Sequence, residues 1–431
     1  AHDNPADDPL EAGLKDALAD MDATEFQSDS QSATPPPESE EIIVDSGGFL
    51  SKLSEVGVLS SDEITALNSA GVEDSDPRQL AAQLVTDGKL TEYQASALLK
   101  GRPELLIDKY LILDLLDAGG MGMVFKALHR PMNRIVAIKM IAQHLLASAE
   151  QVQRFQREVR VAATLEHPNV VRAYDADQSK GIHFLVMEYV RGENLTKLVR
   201  REGPVSVERA VDCILQAAKG LRYAHKRGVI HRDIKPGNLM LTEEGLVKVL
   251  DLGLANIDPA YRLAHESSAE SGDAPPITKA DITQPGAVLG TVSYMAPEQS
   301  LDANRADTRS DIYSLGCTLY FLLAGTAPYQ GDTVFEVFLK HRDGDIPALR
   351  DKRADVPEAI EAVCRKMLAK APEDRFQSMG ELIAALEDCD IASPAKVSTG
   401  RRHTAPTNGN TEPTIAHAPS HATTGSRRKI P

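Results

Sequence analysis

Three mostly apolar runs follow one another from residue 110: YLILDLL (110–116), MVFKALH (123–129) and RIVAIKMI (134–141). Short apolar runs separated by polar breaks predict β-strands. The period then changes. In EQVQRFQREVRVAATLE (150–166), Phe155, Val159 and Ala162 recur at helical spacing and Glu158 falls among them, which predicts an amphipathic helix with that carboxylate on its inner side. After Glu208 the pattern is mostly helical as far as about Cys389. A sheet-rich first part followed by a helical bulk implies an α+β protein of two lobes with a cleft between them.

Upstream of Tyr110 a shorter helical pattern occurs twice, as GVLSSDEITAL (57–67) and GKLTEYQASALL (88–99). In each copy a Ser or Thr stands three residues before Glu or Gln (Ser60 with Glu63, Thr91 with Gln94), the spacing of a capping box. Two short capped helix hairpins are expected over 46–109. They form either a docking or regulatory module or an appendage packed on the next domain.

Composition adds the flanks. Residues 1–45 hold 13 Asp and Glu against one Lys, with TPPPESEE and few large apolar residues, so they are expected to be a disordered acidic head. Residues 390–431, rich in Thr, Pro, Gly and Ala, are expected to be a flexible tail. The formal net charge of −16, most of it in the head, argues against a nucleic-acid binder. Cys213, Cys317, Cys364 and Cys389 are far apart, without metal-ligand spacing, and read as isolated thiols of a reducing compartment. No run of 18 apolar residues exists. The chain stops after the basic SRRKIP, either an ordinary tail or the inner flank of a membrane span in a longer protein. A cytoplasmic location is expected on both readings.

The candidate chemistry lies between 115 and 253. LLDAGGMGMVFKA (115–127) places Gly119, Gly120 and Gly122 in a phosphate-loop pattern, with Asp117 where a G-x-G-x-x-G would have its first glycine. Lys139 lies inside an apolar strand and needs a buried carboxylate partner, which Glu158 can supply. HRDIKPGNLM (231–240) and DLG (251–253) bring three oxygen-bearing side chains, Asp233, Asn238 and Asp251, within twenty positions. Hard cations such as Mg²⁺ take such ligands, few in number and shared with phosphate oxygens. Asp233 is then available to accept a proton from an attacking hydroxyl. HRDxKPxN with a downstream D-x-G is a highly specific combination.

With HPNVV (167–171), LVMEYV (185–190), GTVSYMAPE (290–298), SDIYSLG (310–316) and PEDR (372–375), residues 110–389 resemble the eukaryotic-like serine/threonine protein kinases of bacteria. The resemblance implies a two-lobed fold, a small antiparallel N-lobe sheet with one helix above a larger helical C-lobe. It implies ATP and Mg²⁺, or Mn²⁺, as cofactors and protein serine or threonine hydroxyls as acceptors. It assigns Lys139, paired with Glu158, to the α- and β-phosphates, Asn238 and Asp251 to the metal, Asp233 to the acceptor hydroxyl and Lys235 to the γ-phosphate. Gly119, Gly120 and Gly122 cover the phosphates, Val124, Ala137 and Met240 sandwich adenine, and the backbone of Glu188 and Val190 reads its edge. Glu298 with Arg375, and Asp311 beneath the catalytic loop, are structural.

Lys235 and Thr291 favour serine/threonine over tyrosine as acceptor. Leu252 replaces the family's phenylalanine and is expected to fill the same place behind the N-lobe helix. The polar segment between Asp251 and Glu298 is expected to be mobile and autophosphorylated, Thr283 before Thr278, with Arg232 as the phosphate's partner and self-association as the route. A pseudokinase scaffold and a small-molecule phosphotransferase are the rival classes. The first would lack one of Lys139, Asp233 and Asp251, and the second would not need the APE segment or PEDR.

Overall fold

The computed structural model describes residues 45–69, 76–101, 105–119, 122–146, 148–252, 292–301 and 306–389. Residues 1–44 of the acidic head, the tail 390–431 and residues 253–291, with Thr278, Thr283 and Thr291, lie outside them, as does Gly120.

The chain opens with α1 (Ser46–Val56), α2 (Ser61–Ser69), α3 (Pro77–Thr86) and α4 (Glu92–Leu99). Both expected capping boxes form. Glu63 N–H donates to Ser60 Oγ and Ser60 N–H to Glu63 Oε2, and Thr91 and Gln94 do the same at the start of α4. Gly57 and Gly88, which open the two copies of the repeat, each turn with positive φ (62° and 68°) after a first helix. The repeat is therefore a duplicated junction between paired helices, and glycine is the residue that makes the left-handed turn without strain.

Next come β1 (Leu106–Ile107), β2 (Tyr110–Gly119), β3 (Gly122–His129) and β4 (Arg134–Ile141). Helix α5 (Ala149–Ala162), β5 (Ala173–Ser179) and β6 (Ile182–Glu188) complete this lobe. The six strands form one antiparallel sheet in the order β1-β2-β3-β4-β6-β5. In β4 every residue from Val136 to Ile141 is buried. An antiparallel strand buries consecutive residues only when both its faces are covered. One face, with Val136, Ile138 and Met140 from β4 and Phe184 and Val186 from β6, shares a core with Phe49, Leu53, Leu84 and Leu98 of the four helices. The other, with Ala137, Ile141, Leu185 and Met187, packs on Phe155 and Val159 of α5. The segment 46–99 is thus built into the hydrophobic core of the small lobe.

The large lobe starts with β7 (Gly192–Asn194), α6 (Leu195–Glu202) and α7 (Val207–His225), followed by β8 (Leu239–Thr242) and β9 (Val247–Val249). Then come α8 (Pro297–Leu301), α9 (Thr308–Ala324), α10 (Val334–Asp343), α11 (Leu349–Lys352), α12 (Glu358–Met367) and α13 (Met379–Glu387). Helix α9 is buried from Ser310 to Leu323 and forms the axis of the lobe, against α7, α12 and α13. Leu252 belongs to this lower core and not to the α5 cluster where it was expected. Cys213, Cys317 and Cys364 are buried, Cys389 half-buried, and all four are free thiols.

Candidate active site

The site is assembled around a loop between α7 and β8. Asp311 of α9, fully buried, accepts from the backbone N–H groups of His231 (2.9 Å) and Arg232 (2.8 Å) and bonds His225 Nε2 (2.7 Å). Burial pushes its carboxyl up, but the His225 contact and the neighbouring donors outweigh that and hold it below its ordinary value. His231, also fully buried, bonds Leu250 O through Nε2 (2.7 Å) and accepts from Asp233 N–H through Nδ1 (3.2 Å). Those two contacts call for the neutral tautomer with its proton on Nε2. Arg232 and Asp251 have left-handed backbones (φ 67° and 53°), conformations that non-glycine residues hold only where the surroundings over-determine them. Gln299 assists by donating to Arg232 O (3.0 Å).

On this frame Asp233 Oδ2 meets Lys235 Nζ at 3.0 Å and Asn238 Nδ2 at 3.0 Å. Asn238 Nδ2 also donates to Asp233 O (2.7 Å), which orients the amide with its carbonyl oxygen on the opposite side. Leu250 N–H donates to Asn238 O (2.9 Å), so the segment leading to Asp251 runs beside the loop.

Lys139 arrives from β4, its side chain only 5% exposed, and its Nζ bonds Asp251 Oδ2 at 2.9 Å. The expected pairing with Glu158 is replaced by this one among the described ion pairs. A buried ammonium requires a carboxylate, and here Asp251 is the one in contact. Glu158 stands half-buried on α5, on the stripe of Phe155 and Val159 as the helical spacing required. Burial raises the Asp251 carboxyl, and the charge and hydrogen bond of Lys139, with Lys235 nearby, reverse the shift, leaving it below its ordinary range. Asp251 and Asn238 supply the hard oxygen donors that Mg²⁺ prefers. No cluster of three or more His, Cys, Asp or Glu forms a protein-only cage among the described residues.

Above Lys139, β2 and β3 close a hairpin in which Gly119 pairs with Gly122. The reason for glycine differs at these two positions. At Gly122 φ is 120° and a Cβ would lie 1.9 Å from Met140 O, so sheet packing alone forbids a side chain. At Gly119 a Cβ would meet nothing within 4 Å. Asp117 is exposed beside a bulge at Leu116 and accepts its neighbour Ala118's N–H (3.0 Å). It is not in contact with Lys139 or the catalytic loop by any described hydrogen bond or ion pair.

Val124 and Ala137 face the α5 side of the sheet with Met187, and Met240 lies on β8 in register with Lys248. Lys248 Nζ reaches Glu188 (2.9 Å), joining the strand below to the end of β6. Glu188 N–H is engaged by Arg172 O (2.9 Å), and Val190 follows β6 half-buried. Neither the Lys248–Glu188 bridge nor the His225–Asp311 bond was visible in the sequence. His225 closes a long amphipathic helix and lies 86 positions from its partner.

Glu298 and Arg375 form the expected buried pair, bidentate at 2.7 and 2.8 Å. The remaining guanidinium donors go to the carbonyls of Ala369, Arg309 and Lys370, so all five N–H groups are used.

A two-lobed fold with a hydrogen-bonded loop of Asp, Lys and Asn beside a buried strand lysine defines a class, and residues 110–385 match the protein kinase domain family. The chain belongs to that family. Among its relatives, serine/threonine-protein kinase PknB of Mycolicibacterium smegmatis is 37% identical over 289 residues, 66% of this chain and 43% of that protein. PknB of Mycobacterium tuberculosis gives the same figures, and a probable serine/threonine-protein kinase of Clostridium perfringens is 34% identical over 284 residues, 66% of this chain and 38% of its own length. The chain thus spans less than half the length of these relatives.

Proposed function

We propose that this chain is an active serine/threonine protein kinase that transfers the γ-phosphate of ATP to hydroxyls of proteins. The observation that carries the reading is the junction of Asp233 with Lys235 and Asn238 at 3.0 Å each, within one hydrogen-bonded frame that also holds Asp251 and Lys139. In that arrangement Asp233 orients the acceptor hydroxyl and takes its proton as the oxygen bonds to the γ-phosphorus and ADP departs. Lys235 beside it offsets negative charge on the transferred group, and Lys139 steadies the phosphates behind it. When bound, a divalent cation held by Asp251 and Asn238 would neutralise charge on the phosphates of ATP. Lys139, Asp233 and Asp251 are all present, Lys139 paired with Asp251 and Asp233 with Lys235, which supports an active kinase over a pseudokinase.

Protein substrates, trans-autophosphorylation between copies and a cytoplasmic catalytic domain are part of the same proposal. None of the described helices is long and apolar enough to cross a membrane. The test is transfer of labelled phosphate from ATP to the chain itself and to a generic protein, beside Asp233→Ala. The variant should lose about 10²- to 10⁴-fold in kcat while remaining folded. Equal labelling by the two proteins would sink the reading.

A further inference from the structure

Strand β2 carries the glycine hairpin, yet its own ladder is weakly defined. β1 pairs only with Tyr110 and Leu111, and Leu105 O extends that contact to Ile112 N–H, so from Leu113 onward β2 is an edge strand whose described ladder is with β3 alone. Its pairing with β3 is interrupted twice, by bulges at Leu113 and Leu116. A bulge leaves a residue unpaired and bends the strand, and an edge leaves carbonyls without partners. Something else must fix where this strand lies.

That support comes from the start of α4, outside the family domain. Gln94, only 2% exposed, uses Oε1 to accept from Thr91 N–H and Nε2 to donate to Ile112 O at 2.7 Å. The Thr91 hydroxyl accepts from Gln94 N–H and donates to Leu113 O. The same two side chains that cap α4 therefore grip the two consecutive carbonyls at the first bulge. Ile112 N–H is bound from the same side, by Leu105 O at 2.7 Å, and the Tyr93 ring rests 5.9 Å from Phe125 of the neighbouring strand. The capping-box spacing accounts for only half of what these residues do.

We propose that Thr91 and Gln94 are positioning residues for nucleotide binding, setting from the helical module the place of the strand that carries the phosphate flap. The proposal rests on reading the hairpin of β2 and β3, with its described ends at Gly119 and Gly122, as that flap. With the grip intact, the carbonyls of Ile112 and Leu113 are both engaged and the first bulge bends in one way, so the hairpin above it starts from a defined base. Without it, β2 beyond Ile112 is tied to β3 by an interrupted ladder, and Gly119 and Gly122 lose a defined base beneath the phosphates. The coupling runs both ways: whatever tightens the flap also tightens α4 against β2. The module is by this route a handle on ATP affinity, and any partner that lifts α4 weakens nucleotide binding without touching the catalytic residues.

The test uses the full chain with Thr91→Val and Gln94→Met together, which preserve size and remove both donors. At a temperature where circular dichroism finds the variant folded, KM for ATP and Kd for ADP should rise about five- to tenfold, with kcat within about twofold. Thr91→Ser, which retains the hydroxyl, should keep the wild-type KM. A module that merely packs would lower Tm and leave KM unmoved, and a folded double variant with unchanged KM and Kd overturns the proposal. Should the double variant not fold, the wild type supplies the same test through reciprocity. Saturating ADP with Mg²⁺ must then slow tryptic cleavage at Lys89 and Lys100, and a rate independent of nucleotide overturns it. A wild type that binds no ADP would instead remove the flap reading on which the proposal stands.

Discussion

The two halves of the site are held in different ways. In the large lobe the catalytic loop hangs from buried polar side chains, with Asp311 on two backbone N–H groups, His231 on Leu250 O and Gln299 on Arg232 O. Each of these is a short bond between groups on or against α9 and β9, and the left-handed residues 232 and 251 are kept in place by them. In the small lobe, Lys139 is held by one ion pair to the lower half, and β2 by an interrupted ladder plus a grip from α4. The loop half has one arrangement available to it, whereas the flap half has partners that can be exchanged. Catalysis by positioning needs the first, and binding and release of a nucleotide need the second.

The comparison breaks most visibly at Lys139. Lys139→Met removes the only described ion-pair partner of Asp251 and the proposed phosphate contact together, and kcat/KM in a transfer assay should fall by about 10³-fold, of the order seen for lost electrostatic contacts to a transition state. The fold should survive, since methionine fills the buried strand position.

Arg375→Met attacks the rigid half instead. It leaves Glu298, whose side chain is 11% exposed, without its guanidinium, and the cost of breaking such a buried pair is about 3–5 kcal/mol. Chemical denaturation should register that loss; a change below about 1 kcal/mol would mean that Ser310, which also donates to Glu298 at 2.7 Å, carries the carboxylate alone.

Acid should act on the same half. His341, buried against Tyr313 and Tyr329 with Lys370 nearby, has its pKa pushed down from 6.5 to about 3 by burial and by the lysine's charge. The unfolded chain therefore binds a proton that the folded chain refuses between those values, so this contribution is complete above pH 6.5 and is lost as pH falls toward 3. Between pH 7 and pH 5 the loss is about 2 kcal/mol, and His341→Gln should flatten that slope even if it lowers stability at pH 7. Denaturation midpoints at the two pH values, for both proteins, decide it.

The smallest effect is expected at the flap's base. Asp117 is exposed and among the described residues hydrogen-bonds only its own neighbour's N–H, so Asp117→Gly should lower KM for ATP by no more than about threefold. Unchanged kinetics would make the departure neutral, and loss of transfer would mean that the carboxylate has a catalytic role.

The clustered motifs were legible because their chemistry lies close together along the chain: Asp233, Lys235 and Asn238 occupy six positions and meet as the spacing implied. The capping boxes and the helix bearing Glu158 were legible for the same local reason. Choices made by tertiary packing were not. Glu158 and Asp251 are both carboxylates suited to Lys139, and spacing does not say which one takes it. Leu252 is apolar in either core, and only the packing assigns it to the lower one. The unbroken apolar run of β4 announces a strand covered on both sides without naming the cover, and the repeat announces helices without naming what they cover. The contact between the two resolves both.

The division into a rigid loop half and an exchangeable flap half is tested most directly by amide hydrogen exchange on the full chain, with and without saturating ADP and Mg²⁺. Exchange at 231–239 should be slow in both states and nearly the same, while amides of β2 and of α4 slow together when nucleotide binds. Slowing confined to the catalytic loop, with β2 and α4 unchanged, would contradict it.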